Sequence, residues 1–168
     1  MTIVKVVLDM ETLKRFEEIF QPDTRQLDRY NVDESAGAVS VMGLEDIYGM
    51  VEGIKLGENV PEVVRSHFEV ARNLVVYSWF VYSFNVVAAL WAFASLEMAV
   101  KEKTSDRQAG FKNQLDRVFN ERQLVDGLGL STAITKLRND LAHGSATMHN
   151  QGLATLRICS ELINELFP

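Results

Sequence analysis

Residues 73–96 read NLVVYSWFVYSFNVVAALWAFASL, twenty-four consecutive positions without a charged side chain. A helix needs about 20 apolar residues to cross a bilayer, so the run is long enough to be a membrane span. Against that reading, Ser78, Ser83, Asn85 and Ser95 are spread through it, and neither flank carries the cluster of Lys and Arg that sets an orientation. The better reading is a buried helix or helical pair. The helical pattern runs from Pro61 to about Lys103, which is long for one globular helix, so two antiparallel helices are expected with a break near Ser83 to Asn85.

Working outward, Asn59 followed by Glu62 reads as a capping-box-like start, with Pro61 tolerated in the first turn. Downstream, Ser105 can cap a helix in which Phe111, Leu115, Val118 and Phe119 fall on one stripe, ended by Gly127 and Gly129. Ser131 opens the next, striped by Ile134, Leu137 and Leu141 and broken at Gly144. Leu153, Leu156, Cys159, Leu162, Ile163 and Leu166 mark the last. Five apolar-striped helices with short connections and no convincing strand series predict an all-α fold, an antiparallel four- to five-helix bundle over residues 61–168.

Residues 1–60 read differently. Thr2 to Leu8 is rich in β-branched residues and could form a strand, while Leu13, Phe16 and Phe20 recur at helical spacing until Pro22. Gly37, Gly43, Gly49, Gly53 and Gly57 then punctuate the chain, so an irregular acidic arm or subdomain with one or two short elements is expected. This segment holds 6 Lys and Arg against 12 Asp and Glu, whereas residues 61–168 hold 11 of each. All of the net charge of −6 is therefore N-terminal. A broad electrostatic footprint for duplex DNA is not expected, although the neutral remainder has room for a local basic site.

At 168 residues and 47% hydrophobic composition, the chain has the size of one domain able to bury a core without disulfides or metal. Cys159 is the single cysteine, which excludes an internal disulfide and any multi-cysteine metal site and fits a reducing compartment. Met1 to Leu8 lacks the basic start and cleavage site of a secretory signal, so a cytoplasmic protein without membrane attachment is expected.

The residues with chemistry lie at Arg138, Asn139, Asp140, Leu141, Ala142, His143 and Gly144. With Leu137 set to zero on a helical wheel, Asn139 falls at about 200° and His143 at about 240°, nearly opposite the stripe of Ile134 and Leu141. The polar group points away from its own core, and Arg138 has the reach to join it. A carboxylate beside a phosphate site is repulsive unless it faces away, which leaves the orientation of Asp140 open. On the residues alone, Asn139 and His143 read first as a solvated face whose histidine complements the helix dipole. Glu97 and Lys101, four apart after Leu90 and Ala94, read equally as an ordinary ion pair.

The segment resembles the HEPN family, whose signature is an arginine, usually followed by a polar residue, then a histidine after four to six positions. Arg138, four intervening residues and His143 match it, with Asn139 in the polar place. The stretch ASLEMAVKEK at residues 94–103 is similar to the preceding HEPN helix, with Glu97 and Lys101 as its glutamate and basic residue. The resemblance covers about residues 61–168. It implies a homodimer that brings two motifs into one cleft, and a metal-independent endoribonuclease of toxin or defence type, or else a non-catalytic module that binds a nucleotide or a protein. An antitoxin or a nucleotidyltransferase-type protein is the implied partner, and no metal or other cofactor is implied. In that scheme RNA supplies its own 2′-hydroxyl nucleophile. His143 moves protons, Arg138 stabilises charge on phosphorus, Asn139 orients, and Glu97 and Lys101 support them.

His67 and His149 have no recognisable partners and are expected on the surface or in packing. Most of Tyr77, Trp79, Phe80, Tyr82, Phe84, Trp91 and Phe93 are expected in the core, with some in a dimer contact.

Overall fold

A computed structural model describes residues 12–33, 37–104, 108–122, 129–144 and 151–168. It is an all-α helical bundle. Helices α2 (Glu62–Tyr77), α3 (Phe84–Lys103), α4 (Phe111–Arg122), α5 (Leu130–Ala142) and α6 (Gly152–Leu166) are the five expected; α1 (Leu44–Glu52) precedes them. The central helix is α3, which packs on α2, α4, α5 and α6. The uncharged run breaks as expected, in a turn over residues 78–83. By length and composition alone α3 could cross a membrane, and half of that apolar window is buried inside the bundle.

Close packing explains the core. Val64, Phe68, Ala71 and Val75 of α2 and Ala88, Ala92 and Ala99 of α3 are buried in one core, and the small side chains of α3 let the helices packed on it approach. Little room is left for large rings. Of the seven aromatic residues between Tyr77 and Phe93, only Phe93 is buried; Tyr77 and Trp91 are exposed and the others line the turn or the flanks half-buried. The expectation that most of them fill the core is therefore corrected.

Residues before 61 are tied into the same core. Met42, Ile47, Val51, Ile54 and Val60 are buried in it. Asp46 caps the start of α1 by accepting from the Gly43 N–H at 2.7 Å. Gly49 lies inside α1 and punctuates no loop. Upstream, two short 3₁₀ turns, Phe16–Glu18 and Thr24–Gln26, precede a hairpin of β1 (Tyr30–Asp33) and β2 (Ala38–Val41), antiparallel with Val32 opposite Val39. Leu13, Phe16 and Phe20 are exposed and build no amphipathic helix. Gln26 is fully buried, and its amide donates to the Ser78 carbonyl at 2.8 Å.

Several expected caps differ. Asn59 does not cap α2; its amide donates to the Pro168 carbonyl at 2.7 Å, while Asn164 of α6 accepts from the Gly57 N–H and donates to the Lys55 carbonyl. Ser131 does not start α5, which begins one residue earlier; its hydroxyl donates to Asp116 of α4. The suggested strand at Thr2 to Leu8, the Ser105 cap, Gly127 and His149 lie outside the described residues.

Candidate active site on α3 and α5

Buried Ile134 and Leu141 fix the rotation of α5 and leave its opposite side to polar residues, as the wheel requires. Arg138 emerges at the edge of that side and lies across α3. Its Nη2 donates to Glu97 Oε2 at 2.9 Å, and Lys101 Nζ donates to Glu97 Oε1 at 2.8 Å. Glu97 is 18% exposed at its side chain and Arg138 37%, so the carboxylate is the more buried centre of a triad with two cations. The triad carries one net positive charge. Arg138 Nη1 also donates to Asn139 Oδ1 at 3.1 Å. These bonds use two of the guanidinium's five donor protons.

Four of the five residues singled out in the sequence thus meet: Glu97, Lys101, Arg138 and Asn139. His143 stands at the C-terminal end of α5, exposed, its backbone N–H donating to the Asn139 carbonyl at 2.9 Å. Gly144 then adopts φ 75°, the left-handed conformation that ends a helix and that a side chain disfavours. Among the described residues the His143 ring has no hydrogen-bond partner. Asp140 is bonded by Lys136 one turn earlier on α5, which balances its charge beside the motif.

Arg138 and Asn139 also line a cleft of about 300 Å³ together with Gly110, Lys112, Asn113 and Thr135. Its wall is the start of α4, where backbone N–H groups lack partners within their own helix and attract anions. Lys112 is held at 2.7 Å by Asp116, whose carboxyl lies below its ordinary pKa because Lys112 and Ser131 both bond it. Lys112, Asn113 and Thr135 were not singled out in the sequence, because the packing of α4 against α5 leaves no periodic signal. A larger cavity of about 830 Å³ beneath residues 12–25 shares none of these residues, and the charges of its Asp23 and Arg25 are locked on each other at 2.7 Å.

His67 does have partners, contrary to expectation. Its ring stacks on Trp91, centroids 4.7 Å apart and nearly parallel, and Nδ1 lies 2.8 Å from Ser95 Oγ. Burial lowers its pKa. Cys159 is buried and its thiol pKa is pushed up, so it offers no nucleophile at neutral pH. Among the described residues no three His, Cys, Asp or Glu side chains converge to hold a metal ion.

A comparison with family models, with curated proteins and with solved structures found no match to this chain.

Proposed function

We propose that the chain is a cytoplasmic, HEPN-type endoribonuclease that cleaves RNA without metal in a composite site of a homodimer. The observation that carries this reading is Arg138, clamped by Glu97 at the mouth of a cleft, with His143 exposed at the end of the same helix. A phosphodiester in the cleft accepts from the Arg138 fork and from the start of α4. The RNA 2′-oxygen attacks phosphorus, the bond to the 5′-oxygen breaks, and histidine takes the 2′ proton and returns one to the leaving oxygen. The products are a 2′,3′-cyclic phosphate and a 5′-hydroxyl. Arg138 and Lys112 oppose the charge that grows on the equatorial oxygens, and Asn139 sets the tilt of the guanidinium.

One observation favours a second reading. The charge of Arg138 is largely answered by Glu97, which suits a module that binds a nucleotide or a protein in the same cleft without cutting. Cleavage assays of wild type against His143→Ala separate the two.

A further inference from the structure

Arg65, near the start of α2, is a half-buried arginine whose charge nothing answers. Among the described residues its guanidinium makes no hydrogen bond and no ion pair, and its Nε is shut off from water without a partner. It stands at the end of α2 where the helix dipole disfavours a cation. Helical spacing offers two carboxylates, Glu62 three residues before and Glu69 four after. Neither is used. Arg72 Nη1 takes both oxygens of Glu69, at 2.6 and 2.7 Å, and Arg72 is itself anchored by donating to the Val51 carbonyl at 3.2 Å. Glu62 is exposed and bonds no described residue.

Losing water around a cation costs free energy unless a counter-charge replaces it, so an orphaned half-buried guanidinium calls for an anion. The fold provides a place for one. Arg65 lines a cleft of about 370 Å³ between α2 and residues 55–56 of the connection from α1. On the wall formed by that connection lies Lys55, whose ammonium is likewise without a partner among the described residues. The wall is fixed. Buried Ile54 and Val60 hold the connection down, and Asn164 of α6 donates to the Lys55 carbonyl at 3.0 Å and accepts from the Gly57 N–H at 2.8 Å.

Two unanswered cations on one cleft suit a dianion, and the fork of Arg65 matches the oxygens of a phosphate. The other lining residues narrow the class. With Glu69 held by Arg72, Glu62 is the one unpaired carboxylate of the lining; it repels a second phosphate and accepts hydroxyl protons, and the Ser66 hydroxyl beside it can do the same or donate. A nucleic-acid strand, charged at every nucleotide, is therefore a poor occupant. One phosphate on a small polyhydroxy chain is a good one, and the volume lies at the lower end of the about 300–1,000 Å³ of small-ligand pockets.

We propose that this cleft binds a small sugar phosphate, with Arg65 and Lys55 on the phosphate and Glu62 and Ser66 on the hydroxyl groups. It shares no residue with the cleft of Arg138 and does not depend on the ribonuclease reading.

The test is titration of the full chain, labelled with nitrogen-15, by glucose 6-phosphate and ribose 5-phosphate, followed by amide NMR. Inorganic phosphate, glucose and a short RNA are the other ligands. At least one sugar phosphate should shift the amides of residues 55–57 and 62–72 and saturate at millimolar concentration or below. Inorganic phosphate should act on the same amides at least fivefold more weakly, and glucose should move none. Arg65→Gln and Lys55→Gln should each weaken the sugar phosphate at least tenfold, whereas Arg157→Gln on the exposed side of α6 leaves it unchanged. Arg65→Gln breaks no bond among the described residues and should stay folded; should it unfold, Lys55→Gln, at an exposed position, decides alone. The proposal is overturned if neither sugar phosphate moves residues 55–72, or if the shifts are confined to residues 110–113 and 138–139. It is equally overturned if inorganic phosphate or the RNA binds residues 55–72 as tightly as the sugar phosphate, or if Lys55→Gln binds like wild type.

Discussion

Arg138 and Glu97, forty-one residues apart in sequence, meet across α5 and α3 with a guanidinium nitrogen 2.9 Å from a carboxylate oxygen. The contact joins the two segments that carry the HEPN resemblance. It also sets the direction of Arg138, because a planar fork held on one edge presents its remaining donors along a fixed line.

Glu97→Ala is expected to cost about 1 kcal/mol of stability, since the pair is only partly buried and both cations regain water when released. Glu97→Gln should keep most of the stability and slow RNA cleavage about tenfold by loosening Arg138. Urea denaturation reads the first effect and single-turnover cleavage the second. A Glu97→Gln protein that cuts at the wild-type rate would remove Glu97 from any positioning role.

Asp23 gives a pH signature. Bonds from the Arg25 side chain, from its backbone N–H and from the Tyr82 N–H hold the carboxyl at about 2. An unfolded aspartate titrates at about 3.9, so the folded state favours the ionised form and gains about 1–2 kcal/mol that is fully present above about pH 4. That stability is lost as the pH falls from 4 toward 2. Asp23→Asn should therefore unfold at lower temperature than wild type at pH 7, with the gap closing below pH 4. A gap that stays constant down to pH 2 would contradict the assignment.

Gly152 marks the closest approach of α6 to the start of α3. A methyl group there would lie 2.8 Å from Asn85 Oδ1 and 2.9 Å from the Asn85 carbonyl oxygen, so backbone has to move. Gly152→Ala should cost about 1–3 kcal/mol in spite of alanine's better helix propensity. Chemical denaturation that finds the variant as stable as wild type would show that the α3–α6 contact is looser than described.

His67 should titrate below the ordinary histidine value of about 6.5, because burial against Trp91 disfavours its cation. Ser95 Oγ donates to the Trp91 carbonyl at 3.0 Å and so accepts from His67, which fixes the proton on Nδ1. The folded state then binds this proton more weakly than the unfolded chain does. Its contribution to stability is complete above about pH 6.5 and declines as the pH falls toward the lower folded value. Nitrogen-detected NMR should report both the tautomer and the lowered pKa; a ring protonated on Nε2 at neutral pH would break the argument.

The bundle was legible because helical periodicity survives substitution of individual residues. The break between α2 and α3, the stripe of α5 and the stop at Gly144 all follow from local pattern. The hairpin of β1 and β2 escaped notice because each strand has only four residues, too few for alternation to stand out. Asn59 and Ser131 were misread for a common reason. Each spends its polar group on a residue distant in sequence, and local rules assign such groups to the nearest helix end. At the candidate site, the residues were visible as a motif, but the Glu97 clamp on Arg138 and the cleft beside α4 depend on how three helices pack.

The most direct measurement is cleavage of a panel of RNAs by the purified chain in EDTA, with the ends of the products identified. The account predicts 2′,3′-cyclic phosphate and 5′-hydroxyl ends, and a rate at least a hundredfold lower for His143→Ala and for Arg138→Ala, with both variants folded because neither side chain is part of the core. Cleavage by wild type no faster than by His143→Ala across the panel would contradict it.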